Sequence, residues 1–168
     1  LKRLTDLADY EKIGTPFKKH GKYYFYKNDG LQNQNVLYVQ DTLDGEPRVF
    51  LDPNQLSEDG TVALTGISFS NDGKYVAYTI SRSGSDWTEI YVMDAATGKQ
   101  LEDHIEWAKF TGASWKGDGF YYSAYDAPAK GKEFSNVNEL HKIYYHKIGT
   151  PQSKDELIYQ NPDYPKRF

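Results

Sequence analysis

Short aromatic-rich runs recur along the chain, and each one follows a turn that contains glycine. Three such runs lie at 20–26, 71–78 and 117–122. Their turn glycines, at positions 21, 73 and 119, are separated by 52 and then 46 residues. Aromatic and β-branched residues bounded by turn residues are typical of strands that are half-buried in a sheet. The pattern therefore predicts a strand unit that repeats about every 50 residues.

A second run follows each first run and repeats with a more regular spacing. These runs lie at 36–39, 89–92 and 142–145, and their tyrosines at 38, 91 and 144 are 53 residues apart. A third run then lies at 48–51, around 100–101 and at 156–159, after a glycine-containing hairpin turn. A strand before the first run is clearest at 63–69 and 107–115. Four strands per unit at this period favour β-propeller blades, with a β-sandwich as the alternative.

We therefore predict an all-β fold, a partial β-propeller of about three four-stranded antiparallel blades. A short helical or irregular segment precedes it at 1–9, where Leu1, Leu4 and Leu7 have helical spacing. The propeller covers 10–168, with approximate blades at 10–54, 55–105 and 106–162 and the start of a fourth at 163–168. Closed propellers have typically about four to eight blades. We therefore expect a piece of a longer ring, since the chain also opens without Met and stops without a terminating feature.

Composition narrows the class of protein further. The chain has no cysteine, which excludes a disulfide scaffold, a thiolate nucleophile and cysteine-based metal sites. A net charge of −4 gives no electrostatic footprint for nucleic acid or for an anionic membrane. No apolar run approaches the length that spans a bilayer. We expect a soluble protein that binds neither nucleic acid nor membrane, and the composition suits cytoplasm and periplasm equally.

Motifs for catalysis or metal binding do not emerge from the residues. The nearest relatives of a G-x-S-x-G nucleophile motif, at 66–70 and 83–85, lack the second glycine. No phosphate-binding glycine loop occurs. His141 and His146 are five residues apart, so on one strand they would point to opposite faces and could not share a metal. We therefore expect no metal and no cofactor.

Two aromatic features lie above this background. Ser-Gly-Ser-Asp-Trp at 83–87 predicts a hairpin loop, whose Trp87 covers a blade edge or whose residues bind a ligand at a face of the ring. Trp107 and Phe110 are three residues apart, which on a strand places them on opposite faces. One ring would then pack between blades and the other would face the central channel or an adjoining domain.

Several longer stretches resemble the prolyl oligopeptidase (prolyl endopeptidase) family of serine peptidases, in the N-terminal part of its β-propeller. The most specific is Gly-Leu-Gln-Asn-Gln at 30–34, which continues through 36–41 to Arg-Val-Phe-Leu-Asp-Pro-Asn at 48–54. The stretches at 57–64, 83–87 and 142–146 share the resemblance, which runs almost from end to end. Motifs of this length and in this order are specific, and a chance match to a generic propeller would not reproduce the stretch at 30–34.

The resemblance implies a parent enzyme in which a seven-bladed propeller caps an α/β-hydrolase domain. Such an enzyme cleaves short peptides after proline through a Ser/Asp/His triad on the hydrolase part, and its propeller restricts access. This chain would hold no catalytic residue and would be inactive alone. Phe110 would form an apolar wall near the substrate, and Asp86 would make a polar contact to the hydrolase domain. The implied partners are short proline-containing peptides, the hydrolase domain and the remaining blades.

Further interpretations come from the repeat itself. Exposed blade edges predict self-association of the chain. A self-standing propeller or sandwich that binds peptides or partner domains is the main alternative function. A sugar- or metal-dependent enzyme on a propeller is another, but it needs a cluster of acids or histidines on one face, and the sequence shows none.

Overall fold

Antiparallel strands joined by tight turns make up most of the structure, a computed structural model that describes residues 2–131 and 138–167. One short helix, α1, covers Lys2–Ala8 and agrees with the helical segment predicted at the N-terminus. The strands are β1 Lys12–Ile13, β2 Phe17–Lys19, β3 Lys22–Asn28, β4 Val36–Gln40, β5 Arg48–Leu51, β6 Val62–Phe69, β7 Tyr75–Arg82, β8 Trp87–Asp94, β9 Gln100–Lys109, β10 Ser114–Lys116, β11 Gly119–Ala124, β12 Lys142–Lys147 and β13 Glu156–Gln160. Within the described residues, no helix has the length and apolar character needed to cross a membrane.

The chain divides into two compact units, Leu1–Leu64 and Thr65–Phe168. The sheet of the first unit has the order β1-β3-β4-β5, and β2 also pairs with β3. Because β1 and β2 pair with opposite ends of the same side of β3, they act as one interrupted strand. This sheet is therefore an antiparallel set of four strands, as predicted for one blade.

The second sheet has the order β13-β12-β11-β9-β8-β7-β6, and β10 also pairs with β11. A single residue pair, Ala108 with Ala124, joins β9 to β11. The sheet is therefore two four-stranded antiparallel groups, β6 to β9 and β10 to β13, linked at one point. The predicted all-β fold with four-stranded repeats is confirmed.

The predicted strand at 107–115 is wrong as one element. Residues 107–109 continue β9, and only Ser114–Lys116 forms the next strand. The backbone of Phe110 has φ 54°, in the left-handed region, which ends the extended strand. Strand β9 also extends past residue 105, where we place the boundary between the second and third blades. The blade boundaries stay a prediction. Residues 163–167 contain turns but no strand, and Phe168 lies outside the described residues.

The turn glycines explain the strand starts in two of the three units. Gly21 and Gly73 have φ of 81° and 74° and lie in the turns before β3 and β7. In the third unit the left-handed position belongs to Gly117, with φ 61°. Gly119 instead begins β11, where a Cβ would lie 2.0 Å from the carbonyl oxygen of His146. This second glycine is needed for close approach of two strands.

The regular tyrosine spacing reflects one repeated contact between the first and second runs of each unit. Directly paired rings stack in all three groups, with centroids 5.6 to 5.7 Å apart and ring planes within 22°. The pairs are Phe25 with Tyr38, Tyr78 with Tyr91, and Tyr122 with Tyr144. Cross-strand aromatic pairs stabilise a sheet by about 0.2–1 kcal/mol each relative to alanine. The tyrosine content therefore serves the packing of the strands.

The core of the second unit lies around Phe120, which is completely buried. Ile90, Val92 and Ile105 are equally buried and belong to the same cluster. The edge of Phe120 packs against Trp115, with centroids 5.2 Å apart. Burying a large apolar side chain contributes about 1.5–3 kcal/mol, so these residues fix the strands that carry the site described next.

In the first unit, side chains from the stretches at 30–34 and 48–54 form hydrogen bonds that link these stretches to each other and to the start of β6. Gln34 donates its side-chain N–H to the carbonyl of Val62 at 2.6 Å and accepts from the N–H of Leu64 at 2.8 Å. Asn54 accepts from the N–H of Gln34 and donates to its carbonyl, both at 3.0 Å. Gln34 and Asn54, the last residues of the stretches at 30–34 and 48–54, therefore hold backbone segments of the first unit together.

Candidate functional site

The loop 83–86 is a tight hairpin turn between β7 and β8, as the sequence predicts. Ser83 and Gly84 both have positive φ, 50° and 70°. The hydroxyl of Ser85 accepts from the N–H of Trp87 at 3.1 Å, and the carbonyl of Ser85 accepts from the Ser81 hydroxyl at 2.5 Å. The turn is thereby fixed, and it holds the carboxylate of Asp86, whose side chain is 76% exposed.

Lys109 is the buried charge of this region. It is the direct cross-strand partner of Trp87, and its side chain is only 9% exposed. Its Nζ lies 4.6 Å from the centroid of Trp87, 5.4 Å from that of Phe110 and 3.9 Å from Oδ2 of Asp86. Two aromatic faces and one carboxylate therefore compensate the ammonium for its loss of water.

Phe110 and Asp86, the two site residues that the resemblance implies, both contact Lys109. The side chain of Phe110 is 64% exposed although it is large and apolar. The prediction that Trp107 and Phe110 lie on opposite faces of one strand loses its basis, since both have positive φ, 58° and 54°. Strict alternation requires an extended backbone throughout the run, at Trp107 and Phe110 as well as between them. The sequence does not predict Lys109 as part of this region, because only the strand register shows that it faces Trp87.

Trp87 is the centre of an aromatic cluster. Trp107 and Tyr125 contact it edge to face, with centroids 5.5 Å and 6.2 Å away and ring planes near perpendicular. Burial raises the pKa of the Tyr125 hydroxyl, so it stays protonated at neutral pH. We call Asp86, Trp87, Trp107, Lys109, Phe110 and Tyr125 the aromatic site.

A cavity of about 360 Å³ borders the aromatic site on the side of Tyr125. Trp87, Tyr125, Asp126 and Leu140 contribute to its lining. Asp126 forms an ion pair with Lys142, the first residue of β12. The aromatic site therefore combines exposed apolar surface with a concave, partly polar neighbour, a combination that suits the binding of a ligand.

Apart from the aromatic site, a polar cluster surrounds Glu89 in β8. Its carboxylate accepts from Arg82, from the hydroxyl of Tyr91 at 2.7 Å and contacts Nε2 of His104 at 2.8 Å. Burial alone would raise the pKa of Glu89, but the hydrogen bonds from Arg82, Tyr91 and His104 lower it overall. Burial and the nearby Glu89 carboxylate raise the pKa of Tyr91 to about 12. Glu89 is therefore ionised and Tyr91 is neutral at physiological pH.

A second polar cluster is wholly buried around His146. Its Nδ1 lies 2.7 Å from Asp155 and its Nε2 lies 2.9 Å from Asp103. The Tyr122 hydroxyl donates to Asp155 at 2.7 Å, and the N–H of Gly149 donates to Asp103 at 2.6 Å. The sequence alone does not link His146 to Asp103 and Asp155, because these residues are 43 and nine positions away along the chain. These groups satisfy one another away from solvent and connect β9, β11, β12 and the turn before β13.

Known proteins resemble this chain over its whole length. A sequence model of the family described as "Prolyl oligopeptidase, N-terminal beta-propeller domain" matches residues 1–168. A prolyl endopeptidase from Elizabethkingia miricola is 52% identical over 169 residues, covering 99% of this chain and 24% of the relative. Prolyl oligopeptidase A from Galerina marginata is 39% identical over 184 residues, covering 93% of this chain and 25% of the relative.

Solved structures agree with the sequence matches. A structure from a study of two prolyl endopeptidases superposes with TM-score 0.79 at 35% identity, covering 98% of this chain and 23% of the other. Prolyl oligopeptidase B from Galerina marginata, bound to a 35mer substrate, gives TM-score 0.85 at 30% identity, covering 98% and 26%. The chain thus spans about a quarter of the length of these proteins, and the propeller prediction is confirmed over the sandwich. The chain belongs to the prolyl oligopeptidase family and corresponds to its N-terminal β-propeller domain.

Proposed function

We propose that this chain is a non-catalytic propeller piece of a serine endopeptidase that cleaves short peptides after proline. The observation that carries the proposal is the 52% identity to a prolyl endopeptidase over 99% of the chain. The propeller gates access of peptides to a catalytic domain that the other three quarters of such a protein contain. Its partners are that α/β-hydrolase domain, the remaining blades and short proline-containing peptides.

Within this function, Phe110 forms part of an apolar wall beside the substrate. Its exposure of 64% supports the role, because a large apolar side chain at the surface gains free energy when a ligand or a domain covers it. Its left-handed backbone supports the role as well, since strain of this kind is retained where the surroundings fix a functional side chain. Asp86, exposed and held on a fixed turn beside Lys109, makes a polar contact to the hydrolase domain.

The catalytic part of the proposal is tested by assaying the pure chain and the whole protein with a chromogenic peptide that contains proline. We expect the whole protein to release the chromophore after proline and the chain alone to give no rate above buffer. Turnover by the chain alone would contradict the claim that it carries no catalytic group. A whole protein that binds such peptides without cleaving them would favour an interaction module instead.

The gating part is tested on the whole protein with two substrates that share one proline-containing sequence. The first is a short free peptide and the second carries the same residues in an exposed loop of a folded domain. We expect cleavage of the free peptide only, because the propeller excludes a folded domain. Equal cleavage of both substrates would rule out gating and leave the cleavage specificity unaffected.

A further inference from the structure

A cavity of about 260 Å³ lies between the hairpin turn 83–86 and strand β9. Arg82, Trp87, Glu89, Glu106 and Trp107 contribute most of its chemistry, with serine hydroxyls at its rim. The cavity is smaller than the roughly 300–1,000 Å³ of pockets for drug-sized ligands, so it suits one side chain. We call it the Trp87–Trp107 pocket.

Two indole rings form adjoining walls of this pocket. Trp87 and Trp107 lie 5.5 Å apart, centroid to centroid, with their planes at 84°. Trp107 and Ser83, which both line the pocket, have left-handed backbones. Bulky residues adopt that conformation rarely, and it is retained where the surrounding structure determines it. The strand register and the turn thus hold both walls in place.

The charged residues that line the pocket, Arg82, Glu89 and Glu106, give it a net charge of −1. The guanidinium of Arg82 is engaged by Glu89, through Nε and through Nη2 at 3.3 Å, so these two charges offset each other. Glu106 is exposed, and its backbone N–H and carbonyl are bonded to Gln152. Within 2–131 and 138–167, no lysine, arginine or histidine forms an ion pair with the Glu106 carboxylate. One negative charge therefore remains for a ligand.

We propose that the Trp87–Trp107 pocket binds the cationic side chain of an arginine or lysine in a peptide. Aromatic walls beside a carboxylate are the chemistry that recognises a guanidinium or an ammonium, and guanidinium also stacks on aromatic faces. The protein itself shows that one of these indoles accepts a cation, since Lys109 Nζ lies 4.6 Å from the Trp87 centroid. That a peptide carries this side chain rests on the proposed function, whereas the preference for a cation rests on the pocket alone.

The test compares two blocked tripeptides, acetyl-Gly-Arg-Gly-amide and its uncharged partner acetyl-Gly-Gln-Gly-amide. Each is titrated into this chain while tryptophan fluorescence and the heat of binding are recorded. We expect saturable binding of the arginine peptide and binding of the glutamine peptide about tenfold weaker, the ratio that one cation–π contact provides. Equal affinity for the two peptides, or no binding of either, would overturn the proposal.

Two variants assign the binding to the pocket. Glu106→Gln removes the remaining charge, and we expect affinity for the arginine peptide to fall about two- to fivefold, less at high salt. Glu102→Gln is the matched control, because Glu102 is also exposed and lies four residues earlier in β9. Trp107→Leu keeps an apolar wall but removes the π face, and an affinity loss of about tenfold is expected. Unchanged affinity in Glu106→Gln, or an equal loss in Glu102→Gln, would contradict the assignment even if Trp107→Leu fails to fold.

The proposed function is measured separately, by turnover of a prolyl peptide in the whole protein. If the whole protein cleaves after proline but the chain shows no preference for the arginine peptide, the pocket assignment is wrong and the peptidase proposal stands. If the chain prefers the arginine peptide but the whole protein cleaves nothing, the peptidase proposal is wrong and the cation pocket stands.

Discussion

The buried histidine shows how a single residue sets the pH dependence of this fold. Both ring nitrogens of His146 face carboxylates, Asp155 at 2.7 Å and Asp103 at 2.9 Å, so the ring donates to both only when it is doubly protonated. The same cluster contains the Tyr122 hydroxyl, which donates to Asp155, the Gly149 N–H, which donates to Asp103, and the Phe120 ring. Burial lowers the pKa of His146, but the hydrogen bonds to Asp155 and Asp103 outweigh it and raise the pKa overall.

A raised folded-state pKa fixes the sign of the effect. The protonated ring stabilises the fold fully below the unfolded pKa of about 6.5, and this contribution is lost as pH rises through the folded pKa. We therefore expect the free energy of unfolding, measured by urea titration, to decrease as pH is raised above about 6.5. His146→Gln should remove this slope and cost about 3 kcal/mol, since it leaves two buried carboxylates without their cation. A stability that is flat across this range would contradict the doubly protonated ring.

Phe110 gives a second prediction at the scale of one residue. Because its ring is mostly exposed, Phe110→Ala should lower the free energy of unfolding of this chain by no more than about 1 kcal/mol, through loss of the cation–π contact to Lys109. In the whole protein we expect KM for a prolyl peptide to rise about tenfold with kcat nearly unchanged, as for loss of uniform binding. Tyr159→Ala, at a residue of β13 that is also about half exposed, is the control and should leave KM unchanged. Unchanged KM in Phe110→Ala would remove this residue from the substrate wall.

At the scale of elements, the sequence predicts most strands because their aromatic residues repeat. The 53-residue spacing of Tyr38, Tyr91 and Tyr144 marks the second strand of each group, and all three stack on the first strand. The sequence does not predict where β9 ends, because left-handed backbone at Phe110 leaves no trace in a hydrophobic pattern. It also does not predict the Lys109 contact, since the facing of Lys109 and Trp87 depends on register shifts along β8 and β9.

One stacked pair separates the role of the ring from that of the hydroxyl. Tyr122 is buried, and its hydroxyl donates to Asp155 at 2.7 Å. Its ring stacks on that of Tyr144, in the neighbouring strand β12. Burial and the Asp155 carboxylate raise the pKa of Tyr122, so the hydroxyl remains a donor at all moderate pH values.

Tyr122→Phe keeps the stacked ring but leaves the buried carboxylate of Asp155 short of one donor. We expect a loss of about 1–3 kcal/mol in the free energy of unfolding, measured by urea titration. The matched change Tyr144→Phe also keeps the stack and should cost less. If Tyr144→Phe proves the more destabilising of the two, the hydroxyl of Tyr122 is not what holds the His146 cluster to β11.

For the whole molecule, the family resemblance is carried largely by residues that build the fold. Gln34 and Asn54, in the most specific stretches, bond to backbone groups within the first unit. Such residues identify the family in a sequence because each one satisfies a fixed backbone geometry. Only the hairpin wall of the Trp87–Trp107 pocket lies in such a stretch, at 83–87, because Glu106 and Trp107 come from a facing strand that meets the hairpin only after folding.

The edge strand β13 is where we expect two chains to meet. It ends the second sheet, and three consecutive apolar residues, Leu157, Ile158 and Tyr159, are each about half exposed. An apolar edge favours pairing with a second chain, while the register shift opposite Ile158 interrupts the ladder and opposes it. We therefore expect association that is weak and visible only at high protein concentration.

Sedimentation velocity over a series of concentrations measures this balance. The weight-average sedimentation coefficient of the chain should rise with concentration, because an antiparallel pairing of two β13 edges forms backbone hydrogen bonds and partly covers the apolar side chains. Ile158→Lys places a charge at the centre of that edge and should abolish the rise. Leu31→Lys, at an equally exposed apolar residue in a loop of the first unit, should leave it unchanged. A coefficient that is constant for the unmodified chain would mean that the bulge at Ile158 is by itself sufficient to keep the edge single.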